Sequence, residues 1–555
     1  MTETANKELV KDYGKKIKSR GDLDAVKRLF CKKYKTNSIL NSDIWRAYQD
    51  LLENGLIKAN PVLEQILKKR SIRTMSGIAP VAVLTKPYPC PGSCAYCPRE
   101  SEDVPVSYLS NEPAVMRAIR CAYDPYVQVA LRLKALETNG HSPKKIEIIV
   151  IGGTWSYLPE KYKYWYILNC FKAANDFNIV RKKIKTNYNE GLEKEAHLFK
   201  NELKAVYKEN LSLENLKKKL AFEQKKNEKA EYKIIGLTLE TRPDYINKKE
   251  LEEMRILGCT RVEIGVQAVD DEILKINKRG HGVKEIAEAT KSLKEYGFKI
   301  TYHLMPALPG ATPKKDLEIF KKLFTDERFQ PDQIKFYPTV VTKGSLLYKW
   351  FLAGKYKPYS DKVLQDLIVK CKEVVPKYVR IIRLIRDIPG ESIIAGNKIT
   401  NLRQVLKDRG VVCNCIRCRE VKDGKILKHQ LNIETYPASS GREYFISIDG
   451  LDGKTLYGFC RLRVDKNSPV AEAIIRELHV YGELVPAGDL TLKSSKTNKK
   501  VQHLGLGKEL MKKAEEIARK DGAKNLAVIS GVGVRGYYRK LGYRLKNTYL
   551  LKSLD

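Results

Sequence analysis

Apolar positions along the chain follow two rhythms. Up to about residue 75 they recur at helical spacing among Lys and Arg, as in Asn60-Pro-Val-Leu-Glu-Gln-Ile-Leu-Lys-Lys-Arg70, which predicts helices with basic faces. From about residue 78, short apolar runs alternate with longer amphipathic stretches. The runs Val81–Thr85, Ile146–Ile151, Ile234–Leu239, Arg261–Val266, Lys299–Met305 and Gln333–Tyr337 read as strands, and Val115–Glu137 and Val283–Tyr296 as helices. Such alternation predicts parallel strands joined by crossover helices, in an open sheet or a barrel. The Lys- and Glu-dense stretch Arg181–Lys233 predicts one or two exposed helices laced by opposite charges. Beyond about Gln430 the texture changes. Glu443–Ser447, Leu456–Val464, Ala473–Val480 and Asn525–Ser530 read as strands, and an amphipathic helix opens at Gln502-His-Leu-Gly505-Leu-Gly507-Lys508 and runs to about Ala518. That part is an α/β unit of its own.

The unusual residues fall where parallel α/β folds place active sites, at the carboxyl ends of strands. Cys90–Cys97 follows the first strand and Gly152-Gly153-Thr154 the second. Glu240-Thr-Arg-Pro-Asp follows the third, Gln267 ends the fourth, and Met305-Pro-Ala-Leu-Pro-Gly310 ends the fifth.

Composition narrows the class. The 555 residues exceed one ordinary core, and 43% hydrophobic content is globular, so two or three domains are expected. No apolar run is long enough for a membrane span and the amino terminus lacks a secretory pattern, so the expectation is a soluble, cytoplasmic protein without membrane contact. With 103 Lys plus Arg against 66 Asp plus Glu, the net charge of +37 favours a polyanionic partner such as nucleic acid. Six of the 12 cysteines form two tight clusters, which in a reducing compartment points to metal binding.

Cys90-Pro-Gly-Ser-Cys94-Ala-Tyr-Cys97 offers three thiolates on one short loop, enough to hold three irons of a 4Fe–4S cube and leave the fourth open. Cys413-Asn-Cys415-Ile-Arg-Cys418 suits three ligands to one zinc, with His429 the nearest candidate for a fourth. Glycines ahead of a helix, as at Gly505 and Gly507, let backbone N–H groups approach a phosphate.

The first cluster and its placement resemble the radical S-adenosylmethionine (SAM) superfamily. That resemblance implies a partial TIM-type barrel of about six βα units, with Gly152, Gly153, Glu240 and Gln267 as SAM contacts. Thr154 stands where the family often has an acidic residue. The carboxy-terminal order of strand, glycine turn, helix and Gly536-Tyr-Tyr538 resembles the GNAT acetyltransferases. It implies that Gln502, Gly505, Leu506, Gly507 and Lys508 hold the coenzyme A pyrophosphate, and that Glu477, Leu478, His479 and Val480 pair with the pantetheine. Tyr538 would then stand near the thioester sulfur, and His479 reads as a strand residue rather than a base.

Radical SAM, then C-x-C-x2-C, then GNAT resembles the catalytic subunit of Elongator and its single-chain relatives, the tRNA uridine acetyltransferases. Ser76-Gly-Ile-Ala79, Tyr123-Asp-Pro-Tyr126, Leu237-Thr-Leu-Glu-Thr-Arg-Pro-Asp-Tyr245 and Ile529-Ser-Gly-Val-Gly533 carry the likeness along nearly the whole chain. It implies a helical tRNA-binding segment over 1–75, a radical SAM domain over 76–400, a zinc-binding linker over 401–430 and a GNAT domain over 431–555. The implied reaction takes hydrogen from the methyl group of acetyl-CoA with a deoxyadenosyl radical. The acetyl radical joins C5 of the wobble uridine in the anticodon stem-loop, and thioester hydrolysis leaves a carboxymethyl group. Lys145 corresponds to a coenzyme-contacting lysine. An electron donor is implied as a further partner, and a homodimer is one candidate assembly, the sequence leaving the oligomeric state open. The main rival reading is a protein lysine acetyltransferase whose iron–sulfur cluster is structural, and a second is a non-enzymatic tRNA-binding scaffold that retains decayed sites.

Overall fold

In the computed structural model the described residues are 2–68, 77–181, 184, 211–421, 428–481 and 505–555. The chain opens with four helices, Thr2–Tyr13, Arg20–Lys33, Asn41–Glu53 and Pro61–Leu67, around a separate core that includes Leu9, Phe30, Ile44, Tyr48 and Leu63. Each start has a local cause. Ser19 and Asp22 form a capping box, and Asn60 accepts from the Leu63 N–H at 3.1 Å with Pro61 behind it. The basic end at Lys69–Arg70, and Ser76, lie outside the described residues.

Next comes a parallel sheet of seven strands in chain order: β1 Ala79–Leu84, β2 Lys145–Ile151, β3 Lys233–Thr241, β4 Arg261–Gln267, β5 Lys299–Leu304, β6 Gln333–Phe336 and β7 Arg380–Arg383. Alternate residues divide between two faces. In β2, Ile146, Ile148 and Val150 are buried in the core, whereas Glu147, Ile149 and Ile151 line a cavity that residues of β1 and of β3 to β7 also line. The sheet therefore curls around the cavity as a half-barrel, with β1 and β7 left as unpaired edges.

Three expectations need correction. The six expected strands gain a seventh, β7, whose four residues begin and end in Arg and show no apolar run. The helix expected over Val115–Glu137 is two, Pro113–Arg120 and Pro125–Thr138. Ala122 and Tyr123 take positive φ, and Asp124 then caps a new helix that has Pro125 at its first position. Within Arg181–Lys233, the helix Leu213–Asn227 is not wholly exposed: Leu216 and Leu220 are buried, and it lies against the helix Glu160–Val180. Residues 182–183 and 185–210 lie outside the described residues.

The carboxy-terminal sheet has the order β13-β14-β12-β11-β10-β9-β8, from β8 His429–Ala438, β9 Gly441–Gly450, β10 Leu456–Val464, β11 Ala473–Val480, β12 Asn525–Val528, β13 Arg544–Lys546 and β14 Tyr549–Ser553. Only β11 and β12 run parallel. The helix Leu506–Lys520 crosses β9, β10 and β11.

Two features join the halves. Gly531 and Gly533 press on the start of β3, where a Cβ on Gly531 would stand 1.9 Å from the Ile235 carbonyl oxygen. Behind them lies a buried ion network. Arg476 of β11 donates to Asp332 at 2.9 Å and to Glu443 at 3.0 Å, and Lys294 and Arg463 each reach Glu443 at 3.4 Å. Burial pushes the Lys294 ammonium down to about 8.

Candidate active site

The loop after β1 is pinned by backbone bonds on both sides. Ala95 N–H donates to the Asn277 carbonyl at 3.0 Å, and Leu347 N–H donates to the Ala95 carbonyl at 2.7 Å. Tyr96 is buried among Ile273, Leu308 and Leu347. Cys90, Cys94 and Cys97 all line the cavity. The Cys97 thiol beside it, reinforced by the Arg279 guanidinium, holds Cys94 down to about 4, while Cys97, hydrogen-bonded to Cys94 and buried, is pushed well above its ordinary value, so the shared proton rests on Cys97. Arg279 Nη1 lies 3.4 Å from the Cys94 sulfur, and Arg242, held by Asp244, donates to the Arg279 carbonyl at 2.8 Å. A Cβ on Gly92 would stand 2.2 Å from Arg242 Nη1, so a side chain at this position would displace that guanidinium. Sequence reasoning marked Arg242 only as part of the Glu240-Thr-Arg-Pro-Asp strand end and passed over Arg279, because nothing in its spacing distinguishes it from surface charge.

The other strand ends converge on the same space. Gly152 and Gly153 have φ of 125° and 123°, and a Cβ on Gly152 would stand 2.4 Å from the Thr85 hydroxyl. These are backbone conformations and approaches open to glycine. Glu240 accepts from the Tyr108 hydroxyl at 3.4 Å and faces His303 Nδ1 at 3.5 Å. Gln267 sits at φ 69°, a left-handed conformation rare for a non-glycine residue, and lines the cavity.

Deeper in the half-barrel the cavity wall is charged. Glu263 contacts His303 Nε2 at 2.7 Å, is bound by Lys335, and lies 3.6 Å from Arg261. Burial pushes Glu263 up, but Lys335, His303 and Arg261 outweigh it and hold the carboxyl well below its usual range. These residues were invisible as a site in the sequence, since each is an ordinary polar position of a strand.

At the far end the cavity reaches β11. That strand pairs with β12 only over Ala473–Ile475, while Glu477 to Val480 pair with β10 alone, so one edge of Glu477–Val480 is left open among the described residues. Glu477 is bound by Lys299 and Arg461, each at 3.0 Å; against the upward push of burial they hold it at about 2. Burial keeps His479 neutral, at about 3, and its Nε2 is buried without a partner on the cavity wall. Lys145, the first residue of β2, is half-buried, bears electrostatically on His479, and pairs with no carboxylate among the described residues.

The helix Leu506–Lys520 begins beside this open edge. Gly505 precedes it at φ 81°, and a Cβ on Gly507 would stand 2.9 Å from the Tyr537 hydroxyl and 3.8 Å from Val480 Cγ2. Tyr537, not Tyr538, therefore meets the helix start. Tyr538 is buried against Tyr543, with ring centroids 6.2 Å apart, and does not line the cavity. Leu506 is buried, Lys508 lies in the helix's first turn, and Gln502 falls outside the described residues.

The cavity encloses about 1430 Å³ and is lined at one end by Cys90, Cys94 and Cys97 and at the other by Glu477 and His479. Elsewhere, the sulfurs of Cys413, Cys415 and Cys418 lie within 4.8 Å of one another, close to the spacing of about 3.8 Å that three thiolates take on one tetrahedral zinc. His429 is not part of this group; it opens β8 as an exposed residue. Arg419 bolts the loop to the second sheet by a 2.8 Å pair with Asp449.

Comparison with known proteins agrees with this division. Residues 197–323 match the Radical SAM superfamily, 331–409 the Radical SAM C-terminal domain, and 420–543 the acetyltransferase (GNAT) family. A tRNA uridine(34) acetyltransferase of Dehalococcoides mccartyi is 41% identical over 88% of this chain and all of its own length. Human Elongator complex protein 3 is 38% identical over 89% of this chain and 87% of its own. The chain belongs to the Elongator complex protein 3 family. The solved archaeal Elp3 of Methanocaldococcus infernus, lacking its first 46 residues, superposes with a TM-score of 0.67 at 35% identity, over 86% of this chain and 99% of that one. A radical SAM domain implies a 4Fe–4S cluster and SAM, and a GNAT domain implies acetyl-CoA. Among the described residues no helix is long and apolar enough to cross a membrane.

Proposed function

We propose that the chain is a tRNA uridine(34) acetyltransferase that builds 5-carboxymethyluridine from SAM-derived radical chemistry and acetyl-CoA. The observation that carries this reading is the single cavity reaching from the Cys90–Cys97 loop to the open edge of β11. Two-electron transfer to an amine needs no enclosure shared with an iron–sulfur loop, which disfavours lysine acetylation.

In this reading Cys90, Cys94 and Cys97 hold the cluster, and Gly152, Gly153, Glu240 and Gln267 hold SAM. The bound pair supplies a carbon radical able to take hydrogen from an unactivated methyl group. The open edge Glu477–Val480 pairs with the pantetheine amides, and the helix start at Gly505–Lys508 takes the pyrophosphate on unspent N–H groups. Lys145 adds a cation to the coenzyme. Neutral His479 offers Nε2 as a hydrogen-bond donor to the thioester carbonyl without bringing a charge, and Glu477, locked between two cations, stays ionised. Tyr538 keeps a supporting role beneath Tyr537. Cys413, Cys415 and Cys418 hold a structural zinc in the 401–430 linker, between a radical SAM domain over 76–400 and a GNAT domain over 431–555. Residues 1–75 contribute basic surface to tRNA binding. An external electron donor, a homodimer and a cytoplasmic location complete the proposal.

The test is deoxyadenosine formation by anaerobically reconstituted enzyme, with and without tRNA and acetyl-CoA, beside Cys94→Ala. Cysteine-dependent deoxyadenosine with carboxymethylated uridine in the tRNA supports the reading. Acetylated lysines on protein, made equally well by Cys94→Ala, would overturn it.

A further inference from the structure

The half-barrel is not closed. β1 pairs only with β2 and β7 only with β6, so a seam runs between the two edges. At the carboxyl ends of the strands the seam is latched. Arg386 holds Glu112 at 2.8 Å, Asn111 donates to the Ser392 hydroxyl at 2.8 Å, and Leu109 packs with Ile388 and Ile393. Toward the amino ends the edges share no hydrogen bond among the described residues, and the cavity extends between them, from Ile78 and Pro80 on one side to Arg380, Arg403 and Arg417 on the other.

The β7 side of this opening carries more cations than anions. Arg403 spends one nitrogen on the Ile381 carbonyl, at 2.9 Å, and Arg417 faces the like charges of Arg403 and Arg380, which outweigh the opposite charges of Glu420 and Cys415. Glu420, the nearby carboxylate, is taken by Arg380 at 2.8 Å. Neither Arg403 nor Arg417 forms an ion pair with a described residue, although both are half-buried and line the cavity. Over the whole cavity wall, fifteen Lys and Arg side chains meet six carboxylates, so excess positive charge is general but is unpaired at this point. Holding guanidiniums together, partly desolvated and only partly compensated, is costly unless a further anion joins them.

We propose that the seam between β1 and β7 is the entrance for RNA, and that Arg403 and Arg417 bind a backbone phosphate flanking the base inserted through it. This rests on the tRNA reading above. A planar guanidinium pair matches the oxygens of a phosphodiester. The coenzyme is a poorer occupant, because its pyrophosphate has its own place at the helix start near Gly505, whereas a flipped base must bring its flanking phosphates to the rim of the cavity.

The experiment measures tRNA affinity of the full-length, metal-replete enzyme across a salt series, for wild type, Arg403→Gln, Arg417→Gln, the double variant and the two Lys variants. Acetyl-CoA affinity, iron and zinc content and melting temperature are measured on the same preparations. A single-strand phosphate contact contributes a slope of about 0.7 in log affinity against log salt. The double Gln variant is expected to weaken tRNA binding and to flatten the slope by about that amount, while the Lys variants keep the slope. Melting temperature is expected to hold or rise in Arg417→Gln, where no native ion pair is removed, and to fall slightly in Arg403→Gln, which also loses the bond to the Ile381 carbonyl. An unchanged slope with intact wild-type binding would overturn the proposal and leave the tRNA reading standing. So would a loss of acetyl-CoA affinity in place of tRNA affinity, or a fall in melting temperature shared by the Lys variants. Wild-type enzyme without salt-dependent tRNA binding would sink both.

Discussion

Replacing Gly531 by Ala probes how the two halves are held together. The added Cβ would stand 1.9 Å from the Ile235 carbonyl oxygen, 2.4 Å from its carbon and 3.1 Å from the Gly236 nitrogen. All three are backbone atoms, so no rotamer change relieves the contact. An ordinary contact of about 3.5 Å requires the segment to lift by about 1.5 Å from the start of β3. The backbone of Gly531 is itself ordinary, at φ −67°, so the penalty is steric and not conformational. Overpacking of this kind costs about 1–3 kcal/mol, and two unyielding backbones put it at the upper end.

Gly536 supplies the control five residues on. It lies in the helix Arg535–Arg539 and has nothing within 4 Å of an added Cβ, so Gly536→Ala should gain about 0.5–1 kcal/mol of helix propensity. The same methyl group therefore acts with opposite sign at the two positions, a difference of about 4 kcal/mol. Hydrogen exchange read by mass spectrometry over the start of β3 and over 529–534 gives the local opening. A loss of about 3 kcal/mol corresponds to exchange on the order of 100-fold faster in Gly531→Ala, with slower or unchanged exchange in Gly536→Ala. Equal protection in the two variants would refute the docking argument.

Four further outcomes follow from the same geometry. Gly152→Ala, which brings a Cβ 2.4 Å from the Thr85 hydroxyl at φ 125°, should abolish SAM binding while leaving iron content intact, as read by calorimetry and metal analysis. Arg476→Met leaves Asp332 and Glu443 buried beside fewer cations and should cost about 3–5 kcal/mol in urea unfolding, with part recovered by adding Asp332→Asn. Cys415→Ser should lose zinc but not iron, and lower the melting temperature, because the thiol trio lies within 4.8 Å. His479 is held neutral by burial to about 3, below its unfolded value near 6.5, so the unfolded chain binds the extra proton between these values and stability rises with pH across that window. At pH 5 His479→Asn should therefore recover about 2 kcal/mol relative to wild type compared with pH 7; a pH-independent difference would show that the imidazole is solvated.

What the sequence revealed depended on how local the physics was. Six strands of the half-barrel were legible because their cores are short and mostly apolar, as in Ile146–Ile151, where Glu147 alone is polar, and the strand-end positions of Cys90–Cys97, Gly152 and Gln267 followed from that rhythm. β7 was not legible, since two of its four residues are Arg and its partner is chosen by the barrel's curvature. The break at Ala122 and Tyr123 was legible in principle, from Asp124-Pro125, but the apolar period continues on both sides and conceals it. Lys335, Glu263 and His303 were beyond reach, because strand alternation shows that they share a face of the sheet but not what they meet there. Tyr537 and Tyr538 show the same limit. Adjacent and identical in type, they are distinguished only by the helix start that one of them meets.

The Ile529–Gly533 stretch links fold to chemistry. As a motif it identified kinship, but in the structure its glycines are what allow the second sheet to sit directly on the first residues of β3. That close seat brings Lys299 of β5 to Glu477, opposite the Arg461 that β10 already pairs with it, and puts the unpartnered Nε2 of His479 on the cavity wall. A linker of the same length with bulkier residues would still join two folded halves, yet the open edge of β11 would no longer face the space behind the cysteine loop. An extended strand advances about 3.3 Å per residue, so the seven residues of β4 span roughly 20 Å of cavity wall. A lift of about 1.5 Å at Gly531 tilts the far wall across that length. On this argument Gly531→Ala should uncouple the ends before it inactivates either one: deoxyadenosine formation should persist and coenzyme should still bind. Acetyl-CoA-dependent carboxymethylation should fall by a larger factor than either partial activity.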